Sequence, residues 1–115
     1  MALDYFLKSV KISEEIKDRL GAAKYMIDLY SYYHAQGLCE KAIIGTKKSL
    51  EILDEIGDKL SYGRCLSSLG SIYSDIGIYP TALDYHFKAL QIKESINDKS
   101  GILLTSINIR SIVPL

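Results

Sequence analysis

Leu69-Gly70-Ser71-Ile72-Tyr73, then Gly77, then Tyr79-Pro80-Thr81-Ala82-Leu83, then Lys88-Ala89-Leu90-Gln91-Ile92 decide the fold. In order they read as an apolar helix, a glycine stop, a proline restart and a second apolar helix. These segments fall within residues 60–99, and the unit recurs. Ala2, Ala42 and Ala82 lie 40 positions apart. The same interval separates Ile12, Ile52 and Ile92; Ile16, Ile56 and Ile96; and Asp18, Asp58 and Asp98. A fixed period of this size marks stacked supersecondary units, each unable to bury its apolar face alone.

The rest of the chain follows from that unit. Residues 2–17 read as a helix, with Leu3, Phe6, Leu7, Val10 and Ile16 on one stripe. Residues 21–36 form the next, with Ala22, Met26, Leu29, Tyr30 and Tyr33 on one side and Gly37 as the stop. A third runs from Glu40 to Ile56, where Ala42, Ser49 and Ile56 repeat beside Ile43, Leu50 and Leu53. Gly57 closes it, and Asp58 stands ready to cap a fourth helix over 59–76, which carries Leu66, Leu69, Ile72, Tyr73 and Ile76. Gly77 ends that one, and Pro80 suits the first turn of a fifth that runs to Ile96. Asn97-Asp98 repeats the Gly57-Asp58 punctuation before a sixth segment from Lys99, and the sequence runs out at Pro114-Leu115. Connections of three to four residues force antiparallel neighbours. The prediction is an all-α chain of helical hairpins.

Composition narrows the function classes. Of 115 residues, 48% are apolar and 24% charged, the balance of a soluble globular protein. Fourteen basic and fourteen acidic residues cancel. That argues against nucleic acid, which needs a local basic excess, and against a polybasic membrane surface. No stretch matches a membrane span; the nearest, Ile102 to Val113, is short and holds Asn108 and Arg110. The start, Met1-Ala2-Leu3-Asp4-Tyr5, carries an acid and no basic leader. Cys39 and Cys65 make no disulfide framework, so the expected compartment is a reducing cytoplasm.

The pattern resembles the tetratricopeptide repeat, through Leu66, Leu69-Gly70, Tyr73, Gly77, Tyr79, Ala82, Ala89 and Leu90. Met26, Leu29, Tyr33, Gly37, Ala42 and Leu50 match in the preceding copy. There Tyr30 replaces the family's small residue and Ser49 its second alanine. The period exceeds the family's usual span of roughly 34 residues. It is similar to long-repeat variants, whose turn often reads Gly-Asp-Lys, as Gly57-Asp58-Lys59 does. The extra residues would lengthen the hairpin by up to about 9 Å at 1.5 Å rise each.

The resemblance implies a stack of antiparallel helix A–helix B hairpins in a right-handed superhelix, an α-solenoid fragment. Residues 2–20 would be the helix B of a partial repeat, 21–59 and 60–99 two full repeats, and 100–115 a partial helix A. That phasing suggests a segment of a longer array. Its apolar last helix (Ile102, Leu103, Leu104, Ile107, Ile109, Ile112) would be covered by self-association into a homo-oligomer or by a helix swap.

Functionally, the resemblance implies a non-catalytic scaffold that binds a protein or peptide along the concave helix A surface. By position that surface is Lys24, Ile27, Ser31 and His34, then Arg64, Ser67, Ser71 and Ser74. Lys24 and Arg64 could meet a peptide carboxylate, and the serines a peptide backbone. Ser67 and Ser71 depart from the family's asparagine clamp for a C-terminal carboxylate, which is therefore not expected. Two alternatives stand beside this reading: a sensor segment of a larger signalling protein, and a self-assembly module.

Other residues carry no chemistry in this reading. Nine tyrosines, with Tyr30, Tyr32 and Tyr33 clustered, are expected to pack helices. His34 and His86 are separate and expected to be structural or solvated at helix ends. No Cys-x-x-Cys or His-x-x-x-His spacing suggests a metal, and no glycine-rich loop suggests a phosphate cofactor. Glu14-Glu15 and Asp54-Glu55 read as solvated faces. No nucleophile–base pair emerges, so no enzyme is expected.

Overall fold

A computed structural model describes residues 2–15 and 19–113, with the side chains of 13–15 excepted. The expectations placed on Glu14-Glu15, Ile16, Lys17, Asp18 and Pro114-Leu115 lie outside the described residues. Six helices follow one another among the described residues: α1 (Ala2–Glu15), α2 (Arg19–Ala35), α3 (Cys39–Ile56), α4 (Lys59–Asp75), α5 (Tyr79–Ser95) and α6 (Lys99–Ile112). Among the described residues there is no strand. No helix among the described residues is long and apolar enough to cross a membrane. The chain divides into two units, Met1–Gly57 and Asp58–Leu115. In the first, α1 packs on α2 and α2 on α3; in the second, α4 packs on α5, α5 on α6, and α4 on α6.

The stops and starts obey the punctuation in the sequence. Gly57 and Asn97, one period apart, both have positive φ, 84° and 57°. That conformation closes a helix, and asparagine is the non-glycine residue that best tolerates it. Asp58 and Asp98 then cap α4 and α6, accepting hydrogen bonds from the backbone N–H of Ser61 at 3.2 Å and of Gly101 at 3.1 Å. Each cap of this kind contributes about 1 kcal/mol. Three turns share one closure, in which the N–H of Leu38, Ile78 or Asp98 reaches back to the carbonyl of Tyr33, Tyr73 or Lys93 at 2.9 Å. Spans 36–38, 57–58, 76–78 and 96–98 connect the helices. At two or three residues they are tighter than predicted, because αL closure lets the next helix begin at once.

Small residues mark where helices approach. Ala42 and Ala82 are each fully buried on the second helix of their hairpin, as are Ser49 and Ala89 further along it. Ser49 satisfies its buried hydroxyl locally by donating to the Gly45 carbonyl at 3.1 Å. Leu53, Leu69 and Ile72 are essentially inaccessible to solvent. Two members of the expected apolar stripes point outward instead: Leu7 is 47% exposed and Ile76 44%. Ile76 caps the end of α4, beyond the last turn that faces α5.

The two hairpins solve the same contact in opposite ways. In α4–α5, Gly70 lies under the imidazole of His86, and a Cβ at Gly70 would fall 2.6–2.7 Å from three ring atoms. In α2–α3, Tyr30 occupies the Gly70 register and Gly45 lies under its ring, where a Cβ would fall 2.0–2.2 Å from it. Large and small have changed sides. The tyrosine at the shared register, 33 or 73, keeps an aromatic neighbour in both. Tyr73 stacks on Tyr85 from the facing helix, centroids 5.6 Å apart, while Tyr33 meets Tyr30 of its own helix at 6.2 Å. Tyr30 therefore does not hold its two helices apart, because the facing residue gives up its side chain.

Gly45→Ala sets a clash against a helix-propensity gain. Overpacking costs about 1–3 kcal/mol, whereas alanine gains about 1 kcal/mol over glycine in a helix interior. The substitution should destabilise the natural protein yet stabilise a Tyr30→Ala background. Urea-unfolding midpoints of the four proteins in that cycle measure the coupling.

Candidate functional site

The polar interior lies in the second unit, where α4, α5 and α6 meet. Lys93 of α5 is 4% exposed. Its Nζ donates to Ser67 Oγ of α4 at 2.7 Å and to Thr105 Oγ1 of α6 at 2.8 Å, and the two hydroxyls are 3.2 Å apart. Gly63 and Gly101 flank the aliphatic stem: a Cβ at Gly101 would come within 2.8 Å of Lys93 Cδ. Burial lowers the ammonium from its ordinary value; Asp98 opposes this and Arg64 adds to it. One period earlier the same three positions hold Leu53, Ile27 and Cys65, so the polar cluster is particular to this register.

His86 also comes from α5 and is 1% exposed. Its Nδ1 is buried with no hydrogen-bond partner among the described residues. Burial, and then the charge of Lys93, hold the imidazole below its ordinary value, so the ring is neutral at neutral pH. The sequence reading set it at a helix end; it sits in the middle of α5, and Gly70 opposite leaves room for its ring. His86 helps line a recess of about 150 Å³ with Ser71, Ser74 and Asp75 of α4 and Asn108 and Ser111 of α6. Ile112 closes one wall.

The predicted surface residues fall as follows. Lys24, Ile27, Ser31 and His34 share the face set by 3,4,3 spacing on α2; Lys24 and Ser31 are exposed, Ile27 and His34 half-buried. On α4, Arg64 is exposed, and Ser67 uses its hydroxyl in the Lys93 cluster. Ser71 and Ser74 line the recess. On α6, Leu103, Leu104 and Ile107 are 63%, 61% and 55% exposed, while Ile102, Ile109 and Ile112 are half-buried. His86, Asn108 and Ser111 were missed as site residues. The signal was present in part: Ser31, Ser71 and Ser111 are one period apart.

Cys39 opens α3 and Cys65 lies on α4; neither is in a disulfide. Burial pushes the Cys65 thiol up to about 12, so it stays protonated and weakly nucleophilic at neutral pH. Among the described residues no group of three or more His, Cys, Asp and Glu side chains could hold a metal ion.

Lys93→Met keeps the stem and removes a buried charge whose hydrogen-bond partners are neutral. The variant should be at least as stable as the natural protein at pH 7, by about 1 kcal/mol or more. The native pKa lies below the unfolded value, so the lysine's contribution is greatest above the unfolded pKa and is lost as pH falls through the native one. The gap between variant and natural protein should therefore narrow from pH 7 toward pH 10, as read from paired urea titrations.

No family model and no curated protein matches the chain, and the functional reading rests on these side chains.

Proposed function

We propose that the chain is a tetratricopeptide-like array acting as a non-catalytic interaction module that binds an extended protein segment along its first-helix surface. The observation that carries this is the adjacency of α4 and α6 in the second unit. Ser71 and Ser74 of one and Asn108 and Ser111 of the other line a common polar recess. Arg64 lies exposed on the same α4 stripe. By register, Leu104 and Ile107 continue that stripe on α6, and both are exposed. A segment crossing the two helices would meet a cation, hydroxyl and amide groups, and an apolar pair. The mechanism is complementarity on a preformed surface, with little ordering of the protein on binding.

Peptides selected from a displayed library against the full chain test this. Arg64→Glu, and separately Ile107→Glu, should each weaken the selected peptides at least tenfold, about 1.4 kcal/mol. Lys48→Glu on the exposed side of α3 should leave them unchanged. Selected peptides indifferent to both groove substitutions would overturn the reading.

A second reading is favoured by the same apolar residues. Leu103, Leu104 and Ile107 form an exposed patch on one side of α6, the kind of surface that a second copy covers. In sedimentation velocity the natural chain should then shift toward dimer with rising concentration, and Leu103→Glu/Leu104→Glu should stay monomeric. A monomer at every concentration leaves the groove as the use of that patch.

A further inference from the structure

We propose that the recess between α4 and α6 is a subsite for a neutral carboxamide, the side chain of a glutamine or asparagine in the bound segment. This rests on reading the α4–α6 surface as a binding groove, and it names the side chain that the groove selects.

Three features narrow the guest. The first is size. A cavity of about 150 Å³ takes a group of roughly benzene size, which a glutamine side chain approaches. The second is polarity. Ser71, Ser74, Asn108 and Ser111 give the lining donors and acceptors from both helices. Ser111 donates to the Asn108 carbonyl at 2.7 Å, which leaves its oxygen lone pairs toward acceptor use. His86 adds the edge of its buried imidazole to the wall.

The third feature is charge. Asp75 is the charged side chain in the lining, and it disfavours a carboxylate guest. Lys93 places a positive charge close enough to act on His86, and this opposes the attraction of Asp75 for an ammonium guest. A neutral guest escapes both. A carboxamide presents a donor and an acceptor side by side, so it can meet a serine hydroxyl and the Asn108 amide together. The periodic counterparts of Gly70 and His86 are Tyr30 and Thr46, so the slot and its imidazole have no copy in the first hairpin.

The test is a nuclear magnetic resonance titration of the full isotope-labelled chain with N-acetylglutamine N-methylamide. The alanine, glutamate and lysine derivatives serve as comparisons. The glutamine derivative should shift the His86 ring nitrogens and the Asn108 side-chain amide saturably, with a dissociation constant on the order of millimolar for so small a group. The alanine derivative should bind at least tenfold more weakly. Ser111→Leu, at an exposed position that overhangs the recess, should abolish the shifts without threatening the fold. His86→Thr, which copies Thr46, should abolish them as well.

The proposal is overturned if the glutamine derivative gives no shifts, if alanine matches it, or if a charged derivative binds more tightly. It is equally overturned if Ser111→Leu changes nothing. The two readings fail separately. Selected peptides that need Arg64 and Ile107 while the recess ignores glutamine would remove the subsite alone. Glutamine binding without any selected peptide would remove the groove alone.

Discussion

Close approach of two helix backbones at one register is the constraint that organises each hairpin. Short connections make the helices antiparallel, but they do not bring them into contact. Contact comes from buried alanines at 42, 82 and 89, and from one glycine per hairpin placed under a ring. Gly70 admits His86, and Gly45 admits Tyr30. A Cβ at either glycine would meet the ring well inside van der Waals distance, and protein interiors have no slack to absorb that. The buried imidazole, the recess beside it and the exposure of the outer faces all follow from how closely the helices lie.

The second hairpin uses the constraint to carry polar groups into its interior. His86 and Lys93 project from α5 beneath α4 and α6, one into the slot above Gly70 and the other between Gly63 and Gly101. Lys93 joins all three helices through two hydroxyls. The buried ammonium is met by Ser67 and Thr105, and the buried imidazole is uncharged at neutral pH. The first unit has apolar residues at the corresponding positions, Leu53 and Ile27. The 40-residue spacing in the sequence therefore carries different interior groups in the two units.

Much of the architecture was legible in the sequence because it is local. Glycine or asparagine at 57 and 97, aspartate at 58 and 98, and proline at 80 act through backbone conformation within a few residues. Apolar spacing found the buried faces of α2 and α4. Side-chain exchange across a hairpin was not legible. Tyr30 looked like an obstacle when read on its own helix, since its compensation lies fifteen residues away at Gly45. The recess was half legible. Ser71 and Ser74 followed from position on α4, but His86, Asn108 and Ser111 required knowing that α6 lies beside α4 and that α5 reaches between them.

The reciprocal fit also limits how this gene could be cut and rejoined. A crossover that joined α2 to α5 would set the Tyr30 ring against Tyr85 and His86, two bulky groups in one slot. The opposite chimera, α4 with α3, would face Gly70 with Gly45 and Thr46 and leave a hole. The smallest part that can be inherited or transplanted intact is the pair of helices, never one of them alone.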